Sequence, residues 1–196
     1  KVKKQKLLVG AAVGAGLNEF DRATAIIKEG VNLIVVDTAH GHTKKVGEII
    51  KFIKRFKNNK IALCAGNIAT AEAAKFLLSL GVDIIKVGIG PGSICTTRII
   101  AGIGVPQITA ILSIKEKLSA NSVPLIADGG IRFSVDISKA LAAGADAVML
   151  GGIFAGTEEA PGELELYQGR SFKTYRGMGS VAAMNKGSKD RYFQDV

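Results

Sequence analysis

The feature that most constrains the fold is a type of segment that occurs three times along the chain. Each copy begins with glycine, continues as a short run of mostly apolar residues and ends in a glycine-rich turn. The copies are residues 30–41 (GVNLIVVDTAHG), 81–92 (GVDIIKVGIGPG) and 144–156 (GADAVMLGGIFAG). Glycine before an apolar run indicates the end of a helix, and an uninterrupted apolar run is typical of a parallel strand that is covered on both faces. The repeated segment therefore predicts helix–strand units of a parallel sheet.

Three further apolar runs lie between these copies, at residues 6–14, 60–70 and 123–133. Patterns with helical spacing separate the runs, for example TAEAAKFLLSLG and VDISKALAAG. The alternation of six strands with five helices predicts an α/β fold, either an open doubly wound sheet or a (β/α)8 barrel. The repetition in strand pairs favours the TIM barrel. We expect residues 1–196 to form a single, partial barrel domain with about six of the eight βα units.

Polar or reactive side chains stand at or just after the ends of several predicted strands. They are Asp37, Asn67, Lys86, Cys95 and Asp128. The C-terminal ends of the strands converge on one rim of a barrel, and the active sites of barrel enzymes lie at that rim. We therefore expect these five side chains to line one site.

Charge and cysteine content bound the possible partners. The net charge is +9, and much of the excess falls in residues 44–60. The apolar positions of that segment recur at helical spacing: Val46, Ile49, Ile50, Ile53 and Phe56. We interpret the lysines as one solvated helix face and expect no nucleic-acid partner.

Two cysteines form no disulfide framework, no apolar run reaches the ~18 residues of a membrane span, and no secretory signal is visible. We expect a cytoplasmic protein with no membrane partner and with reduced thiols.

The stretch KVGIGPGSICTTR, residues 86–98, allows the main chain to approach a ligand closely, because glycine has no Cβ. Its amides and Ser93 can donate to a phosphate, and its carbonyls can face a monovalent cation. ADGGI (127–131) and MLGGIFAG (149–156) predict two further phosphate cradles, on the last two strands, where barrels often bind phosphate. Asp128, within the first cradle, can accept hydrogen bonds from ribose hydroxyls or can simply cap the turn.

Cys95 has three possible roles: a buried apolar residue, a metal ligand or a nucleophile. No histidine or second cysteine stands at ligand spacing, and an amide-rich loop at the rim can stabilise a thiolate, which favours the nucleophile. Cys64 falls within a predicted strand and is expected in the core. His40 and His42 have no acidic cluster beside them, so we expect a loop role for both.

The C-terminal residues 163–196 predict a hairpin and the start of a mobile flap. Residues 165–193 alternate apolar and polar side chains and then become rich in glycine. Tyr175 can donate to a phosphate, and the backbone of Gly177, Met178 and Gly179 can line a flat base. An ordinary surface hairpin is the alternative.

Seven motifs in this order resemble those of inosine 5′-monophosphate dehydrogenases of bacterial type. They are VDTAHGH, AGNIAT, GIGPGSICTTR, IADGGIRFS, FAGTEEAPGE, YQGRSFKTYRGMGS and GSKDRYFQ. The resemblance implies a (β/α)8 barrel, usually in a homotetramer, that takes part in guanine nucleotide biosynthesis. It also implies NAD-dependent oxidation of inosine monophosphate to xanthosine monophosphate through a covalent cysteine thioimidate, with a potassium ion as a further cofactor.

The resemblance assigns a role to each candidate residue of this chain. Cys95 is implied to be the nucleophile, with Thr97 close to the reacting centre. The implied substrate-binding residues are Ser93, Asp128, Gly130, Gly151, Gly152, Tyr175, Gly177, Met178 and Gly179. The implied dinucleotide side comprises Asp37, Thr38, Asn67, Lys86 and Gly88. The implied potassium ligands are the carbonyls of Gly90, Gly92 and Cys95.

Two positions depart from the family pattern. Gly152 stands where the family commonly has serine, and Val135 stands where it usually has glycine, which would strain a turn of positive φ. The resemblance also implies two more strands and a water-activating arginine and tyrosine on segments not included in these residues. Two alternatives to the dehydrogenase stay open: guanosine monophosphate reductase, which uses NADPH, and a nucleotide-binding barrel piece without turnover. YRGMGS and EAPGE favour the dehydrogenase.

Overall fold

The computed structural model describes residues 7–56, 61–118 and 123–185. Six parallel strands form one sheet: β1 (Gly10–Val13), β2 (Leu33–Asp37), β3 (Ala62–Ile68), β4 (Ile84–Val87), β5 (Leu125–Asp128) and β6 (Ala147–Met149). Each strand pairs with the next one along the chain, in the order β1-β2-β3-β4-β5-β6. A doubly wound sheet would reverse its strand order at a switch point. The consecutive order confirms the predicted partial barrel.

Eight helices lie in the described residues, the first six of them between successive strands of the sheet. They are α1 (Glu19–Lys28), α2 (Lys44–Phe56), α3 (Ala71–Ser79), α4 (Thr97–Ile100), α5 (Gln107–Lys117), α6 (Ser134–Ala142), α7 (Gly152–Ala155) and α8 (Val181–Met184). The five long helices coincide with the five predicted patterns. The four-residue helices α4, α7 and α8 lie within loops and were not predicted. The longest helix, α2, has 13 residues, and no helix in the described part of the chain meets the requirements of a membrane span.

The repeated segment has a structural cause that recurs with every second strand. Gly30, Gly81 and Gly144 follow helix C-caps with φ of 77°, 77° and 111°, the left-handed conformation that ends a helix. Two residues later, a side-chain oxygen accepts a hydrogen bond from a backbone N–H at or near the start of the preceding strand. The three bonds are Val9 N to Asn32 Oδ1 (2.9 Å), Leu63 N to Asp83 Oδ2 (2.8 Å) and Leu125 N to Asp146 Oδ2 (2.8 Å).

Each of these bonds is reciprocated by the main chain. The backbone N–H groups of Asn32, Asp83 and Asp146 donate to the carbonyls of Val9, Leu63 and Leu125, each at 2.8 Å. The resulting rings join each even-numbered strand to the strand before it. They explain why the sequence repeats in strand pairs.

The core lies between the sheet and the helices. In α2, Val46, Ile49, Ile50 and Ile53 are at most 1% exposed, as the spacing predicted, and each fully buried side chain of this size stabilises the fold by roughly 1.5–3 kcal/mol. Phe56 was predicted on the same buried face but is 48% exposed. It stands in the last turn of the helix, where its ring lies against the partly buried Phe52, with 4.9 Å between ring centroids.

The strands at the two sides of the sheet each pair on one side only within the described residues. In β6, Ala147 and Met149 are exposed, so the prediction of strands covered on both faces is wrong there. Leu7, Leu8 and Leu17 beside β1 are more than 80% exposed. Within the described residues, both sides of the sheet therefore present apolar surface and a strand edge without a partner strand.

An antiparallel hairpin follows the sheet, formed by β7 (Leu164–Tyr167) and β8 (Arg170–Lys173), as predicted. Its two-residue turn has φ of 48° at Gln168 and 74° at Gly169, the conformation that matches the twist of paired strands. Lys173 fastens the hairpin to the loop after α7, because its Nζ donates to the carbonyls of Thr157 (2.6 Å) and Ala160 (2.8 Å). The predicted start of the flap, residues 186–196, lies outside the described residues.

Candidate active site

A lysine between two carboxylates lies at the C-terminal ends of three strands. Lys86 Nζ is 3.1 Å from Asp37 Oδ1 and 2.5 Å from Asp128 Oδ2, and the lysine side chain is 3% exposed. β2, β4 and β5 supply the three residues. A buried ammonium is tolerated only where partners compensate for its lost hydration. The arrangement holds both carboxylates at fixed positions, with each about a fifth exposed toward the rim.

Asn67 extends this cluster at the end of β3. Its Nδ2 donates to Asp128 Oδ2 (3.0 Å) and to the carbonyl of Gly88 (2.8 Å). Its Oδ1 is buried and has no hydrogen-bond partner among the described residues. An orphaned buried acceptor is costly unless a ligand or water supplies the donor. Asp37, Asn67, Lys86 and Asp128, all predicted from their places at strand ends, are therefore in direct contact.

Cys95 lies above this cluster in the loop after β4. Its N–H closes a turn to the carbonyl of Gly92 (3.0 Å), and its Sγ is 3.3 Å from Thr97 Oγ1. One recess brings this pair together with the strand-end groups. It is lined by Thr38, Ala39, Asn67, Gly88, Gly90, Pro91, Gly92, Cys95, Thr97, Asp128 and Gly129. A thiol, a hydroxyl and a carboxylate thus share one opening at the rim.

A second recess adjoins the first and suits an anion. It is lined by Gly92, Ser93, Asp128, Gly129, Gly130, Ile131, Arg132, Met149, Gly151, Gly152 and Tyr175. A Cβ built on Gly151 would overlap the Tyr175 hydroxyl, and one built on Gly152 would lie 3.6 Å from Ser93 Oγ. Two hydroxyl donors and the backbone of Gly151 and Gly152 therefore converge, which is the chemistry that phosphate requires.

Asp128 borders both recesses, with Oδ2 occupied by Lys86 and Asn67. A ligand that reaches from the anion side to the thiol passes this carboxylate. Hydroxyl groups in the middle of such a ligand would donate to it. The two recesses together therefore suit a molecule with a phosphate, a polyol and a reactive ring.

The segment 177–179 completes the surroundings of the cysteine loop. A Cβ on Gly177 would lie 2.9 Å from the carbonyl of Ile94, so the two backbones are in close contact next to Cys95. Met178 is 53% exposed in the same segment. The prediction for residues 177–179 was a backbone surface against the base of the ligand. No side chain of these residues lines either recess.

Three further predictions concern the histidines and the second cysteine. His40 and His42 lie between β2 and α2, and the His42 ring contacts Phe76 at 4.8 Å between centroids. No group of three metal-ligating side chains was found among the described residues. Cys64 is fully buried in β3, as predicted, and burial raises the pKa of its thiol to about 11. Cys64 is therefore an inert thiol at neutral pH.

Two residues near the site were missed by sequence reasoning, Gln107 and Arg98. Gln107 Nε2 donates to the carbonyl of Val87 (2.8 Å), and its Oε1 is buried without a partner in the described part of the chain. Arg98 donates to the carbonyls of Ile89 and Val105, which lie before and after Cys95 in the same loop. Gln107 follows a proline at a helix start, which marks the helix but not a contact 20 residues away.

Comparison with known proteins shows the family of this chain. Residues 1–196 match the model of the IMP dehydrogenase / GMP reductase domain. The chain belongs to this family. It is 59% identical over 189 residues to inosine-5'-monophosphate dehydrogenase of Pasteurella multocida, and 60% identical over 189 residues to that of Streptococcus pyogenes, each covering 96% of the chain. The enzyme of Halalkalibacterium halodurans is 56% identical over 195 residues, or 100% of the chain.

The chain spans about two fifths of the length of these curated relatives: 39% for Pasteurella multocida, 40% for Halalkalibacterium halodurans and 38% for Streptococcus pyogenes. The motifs that carry the resemblance include residues of both recesses. The two departures from the family pattern have clear structural contexts. Val135 lies in the first turn of α6, and the only non-glycine residue with positive φ in the described ranges is Gln168, so valine is not strained there.

Gly152 leaves space at Cβ for the serine that the resemblance implies at this position. A Cβ there would meet Ser93 Oγ at 3.6 Å, an ordinary contact distance. The anion recess of this chain therefore has one hydroxyl fewer than a family member with serine.

Proposed function

We propose that this chain forms the nucleotide-binding and thiol-bearing part of an oxidoreductase that converts inosine monophosphate to xanthosine monophosphate with NAD⁺. The observation that carries the proposal is that Cys95 and an anion-binding recess flank the same carboxylate, Asp128. Family membership supports the same substrate, and the relatives' printed names state it.

The anion recess would hold the phosphate of the nucleotide. Ser93 and Tyr175 donate from their hydroxyls, and the backbone of Gly130, Gly151 and Gly152 donates from amides. Asp128 then accepts from the ribose hydroxyls, because Lys86 and Asn67 keep its carboxylate oriented through Oδ2. The backbone of Gly177, Met178 and Gly179 lies against the flat base.

The bound purine then lies with C2 next to Cys95. The thiolate adds to C2, and departure of the C2 hydride leaves a thioimidate that joins Sγ to the ring. Thr97 Oγ1, 3.3 Å from Sγ, is placed to stabilise the thiolate by a hydrogen bond. Water then adds to C2, the thiolate leaves, and xanthosine monophosphate is released. Bound NAD⁺ would supply the hydride acceptor, with Asp37, Thr38, Asn67, Lys86 and Gly88 on its side of the site.

The loop also suits a potassium ion. Neutral backbone carbonyls are the donors that selective potassium sites use, and the proposed ligands, the carbonyls of Gly90, Gly92 and Cys95, fall within six residues of one loop. Gly90 has φ of 68°, a conformation that reorients its peptide without strain. A cation at this point would hold the main chain of the cysteine turn. Homotetramer assembly stays a prediction of the resemblance, and a cytoplasmic location stays a prediction from the cysteine content.

The test mixes the protein with inosine monophosphate and NAD⁺ and follows NADH absorbance and intact mass together. We expect NADH to form, at least one equivalent per chain, and a covalent adduct on Cys95 that accumulates if hydrolysis is the slower step. Cys95→Ala should abolish both signals while nucleotide binding persists. Omission of potassium should lower the rate.

Two parallel assays separate the alternatives. Turnover of guanosine monophosphate with NADPH, and none of inosine monophosphate with NAD⁺, would make the protein a reductase. Nucleotide binding without an adduct or NADH, both in the 196-residue chain and in a protein of the relatives' length that contains it, would make it a binding module.

A further inference from the structure

The side chain of Arg98 joins the two ends of the loop that carries Cys95. Its Nε donates to the carbonyl of Ile89 (3.2 Å), just after β4, and its Nη2 donates to the carbonyl of Val105 (2.5 Å), just before α5. Arg98 itself lies in α4, three residues after Cys95. One guanidinium therefore fixes the start, the middle and the end of residues 89–105 relative to one another.

Two glycines make room for this side chain. A Cβ on Gly90 would lie 2.8 Å from Arg98 Cγ, and a Cβ on Gly104 would lie 2.6 Å from its Nε and 2.7 Å from its Cγ. Real Cβ atoms essentially never come so close, so either substitution would displace the arginine. Gly90 also has φ of 68°, whereas Gly104 has no positive φ, so among the described residues it is the contact with Arg98 that opposes alanine at 104.

We propose that Arg98 is a positioning residue for the proposed thiol chemistry. It holds the loop of residues 89–105 closed so that Cys95 stays beside Asp128. The proposal rests on the proposed function. The loop carries glycine at 90, 92, 102 and 104, and such a chain loses much conformational freedom when it is ordered. Hydrogen bonds from one charged donor group to both ends offset that entropy loss.

The planar fork of arginine is essential to this role. Nε and Nη2 point to two different carbonyls from fixed positions in one plane. A lysine carries the same charge on a single nitrogen, so it can satisfy one end of the loop but not both in the same geometry. Charge alone therefore does not replace Arg98.

The experiment is a double-mutant cycle on the protein of the relatives' length that contains these residues. The variants are Arg98→Ala, Arg98→Lys, Gly104→Ala and the double variant Arg98→Ala/Gly104→Ala. The readouts are kcat, the dissociation constant for inosine monophosphate, and the rate at which iodoacetamide alkylates Cys95. Cys64 serves as an internal control, because its buried thiol reacts only if the fold opens.

We expect the three single variants to lower kcat by about 10- to 100-fold, because small displacements of reacting groups cost that much. Nucleotide affinity should stay within about threefold, since Arg98 lines neither recess. The double variant should be no worse than Arg98→Ala, because alanine at 104 has nothing left to displace. Alkylation of Cys95 should change by about fivefold or more, in one direction, in all three single variants, while Cys64 stays unreactive.

Three results would overturn the proposal. Arg98→Ala could retain wild-type kcat and wild-type alkylation of Cys95, or Arg98→Lys could behave as wild type. The losses of kcat in Gly104→Ala and Arg98→Ala could also be fully additive in the double variant, which would mean that the two substitutions act through separate contacts. The alkylation rate separates failure of this proposal from failure of the proposed function. If the parent protein has no turnover, a shared change in Cys95 reactivity in the three single variants still supports the positioning role of Arg98. No change in Cys95 reactivity refutes that role.

Discussion

At the N-terminal ends of β2, β4 and β6 the same kind of side chain stands in the same place, whereas at the C-terminal ends each strand carries a different group. Asn32, Asp83 and Asp146 each accept one backbone N–H from the preceding strand. At the other end, the polar groups bond to one another across strands, as Lys86 does with Asp37 and Asp128.

Within one strand, the polar residue at the N-terminal end therefore serves stability and the polar residue near the C-terminal end serves the site. β4 has Asp83 directly before it, bonded to main chain, and Lys86 near its other end, bonded to carboxylates at the rim. A repeated contact to the backbone is needed wherever the same geometry recurs, so it appears as a sequence repeat. A ligand presents a different chemical group to each strand, so the residues that face it differ from strand to strand.

The largest effect is expected where a rim residue is changed. Lys86→Met keeps most of the side-chain volume but leaves two carboxylates facing each other without the ammonium. On the proposed function, we expect kcat/KM to fall by about 100-fold or more, since Lys86 orients Asp128, the carboxylate proposed to bind the nucleotide. Steady-state kinetics on the protein of the relatives' length would measure this.

A matched lysine near the opposite end of β4 provides the control. Lys54 Nζ donates to the carbonyl of Gly81 at 2.5 Å, before the strand begins. Lys54→Met should lower stability slightly and leave kcat/KM within about threefold, as distant sites do not couple. Equal losses of activity in the two variants would contradict the division between the two ends.

A smaller effect, on stability alone, is expected for Asp83→Ala. It leaves the N–H of Leu63 without its side-chain acceptor, which costs about 1–3 kcal/mol in the free energy of unfolding. Urea denaturation would measure it, with kcat/KM per folded protein unchanged. Asp83→Asn is the control, because Asn32 makes the equivalent bond in its own repeat. A loss of activity in Asp83→Ala at full folding would contradict the comparison.

The same division explains how much could be predicted from sequence. Helix-ending glycines and apolar runs are local signals, and they identified all six strands and the five long helices. The strand-end position of Asp37, Asn67, Lys86 and Asp128 was also sufficient to bring them together, because parallel strands of a barrel must end at one rim.

Contacts that depend on side-chain length or loop path were not predictable. Lys86 was assigned to the dinucleotide side, but whether its ammonium meets a ligand or two carboxylates depends on the distance across the barrel. Arg98 and Gln107 act on carbonyls 7 to 20 residues away, through loops whose course no local pattern specifies. Phe56 follows the helical period of its neighbours, but the helix ends where the core ends.

The smallest effect concerns pH at the N-terminal end of β6. The pKa of Asp146 is lowered, first by the hydrogen bond from the N–H of Leu125 and then by Lys115 at 3.2 Å. A lowered folded pKa gives stability that is present above the ordinary aspartate pKa of about 4 and is lost as the pH falls through the folded value. Asp146→Asn should thus be less stable than the parent at pH 7, by about 0.2–1 kcal/mol for so exposed a pair. Urea midpoints between pH 7 and pH 2 should show this gap closing below pH of about 4; Asp136, whose pKa is also lowered, is common to both proteins and cancels. A gap that stays constant to pH 2 would mean that the asparagine amide, and not the lost charge, causes the difference in stability. The repeated contact at β6 would then need a hydrogen-bond acceptor but no charge, as the contact at Asn32 does.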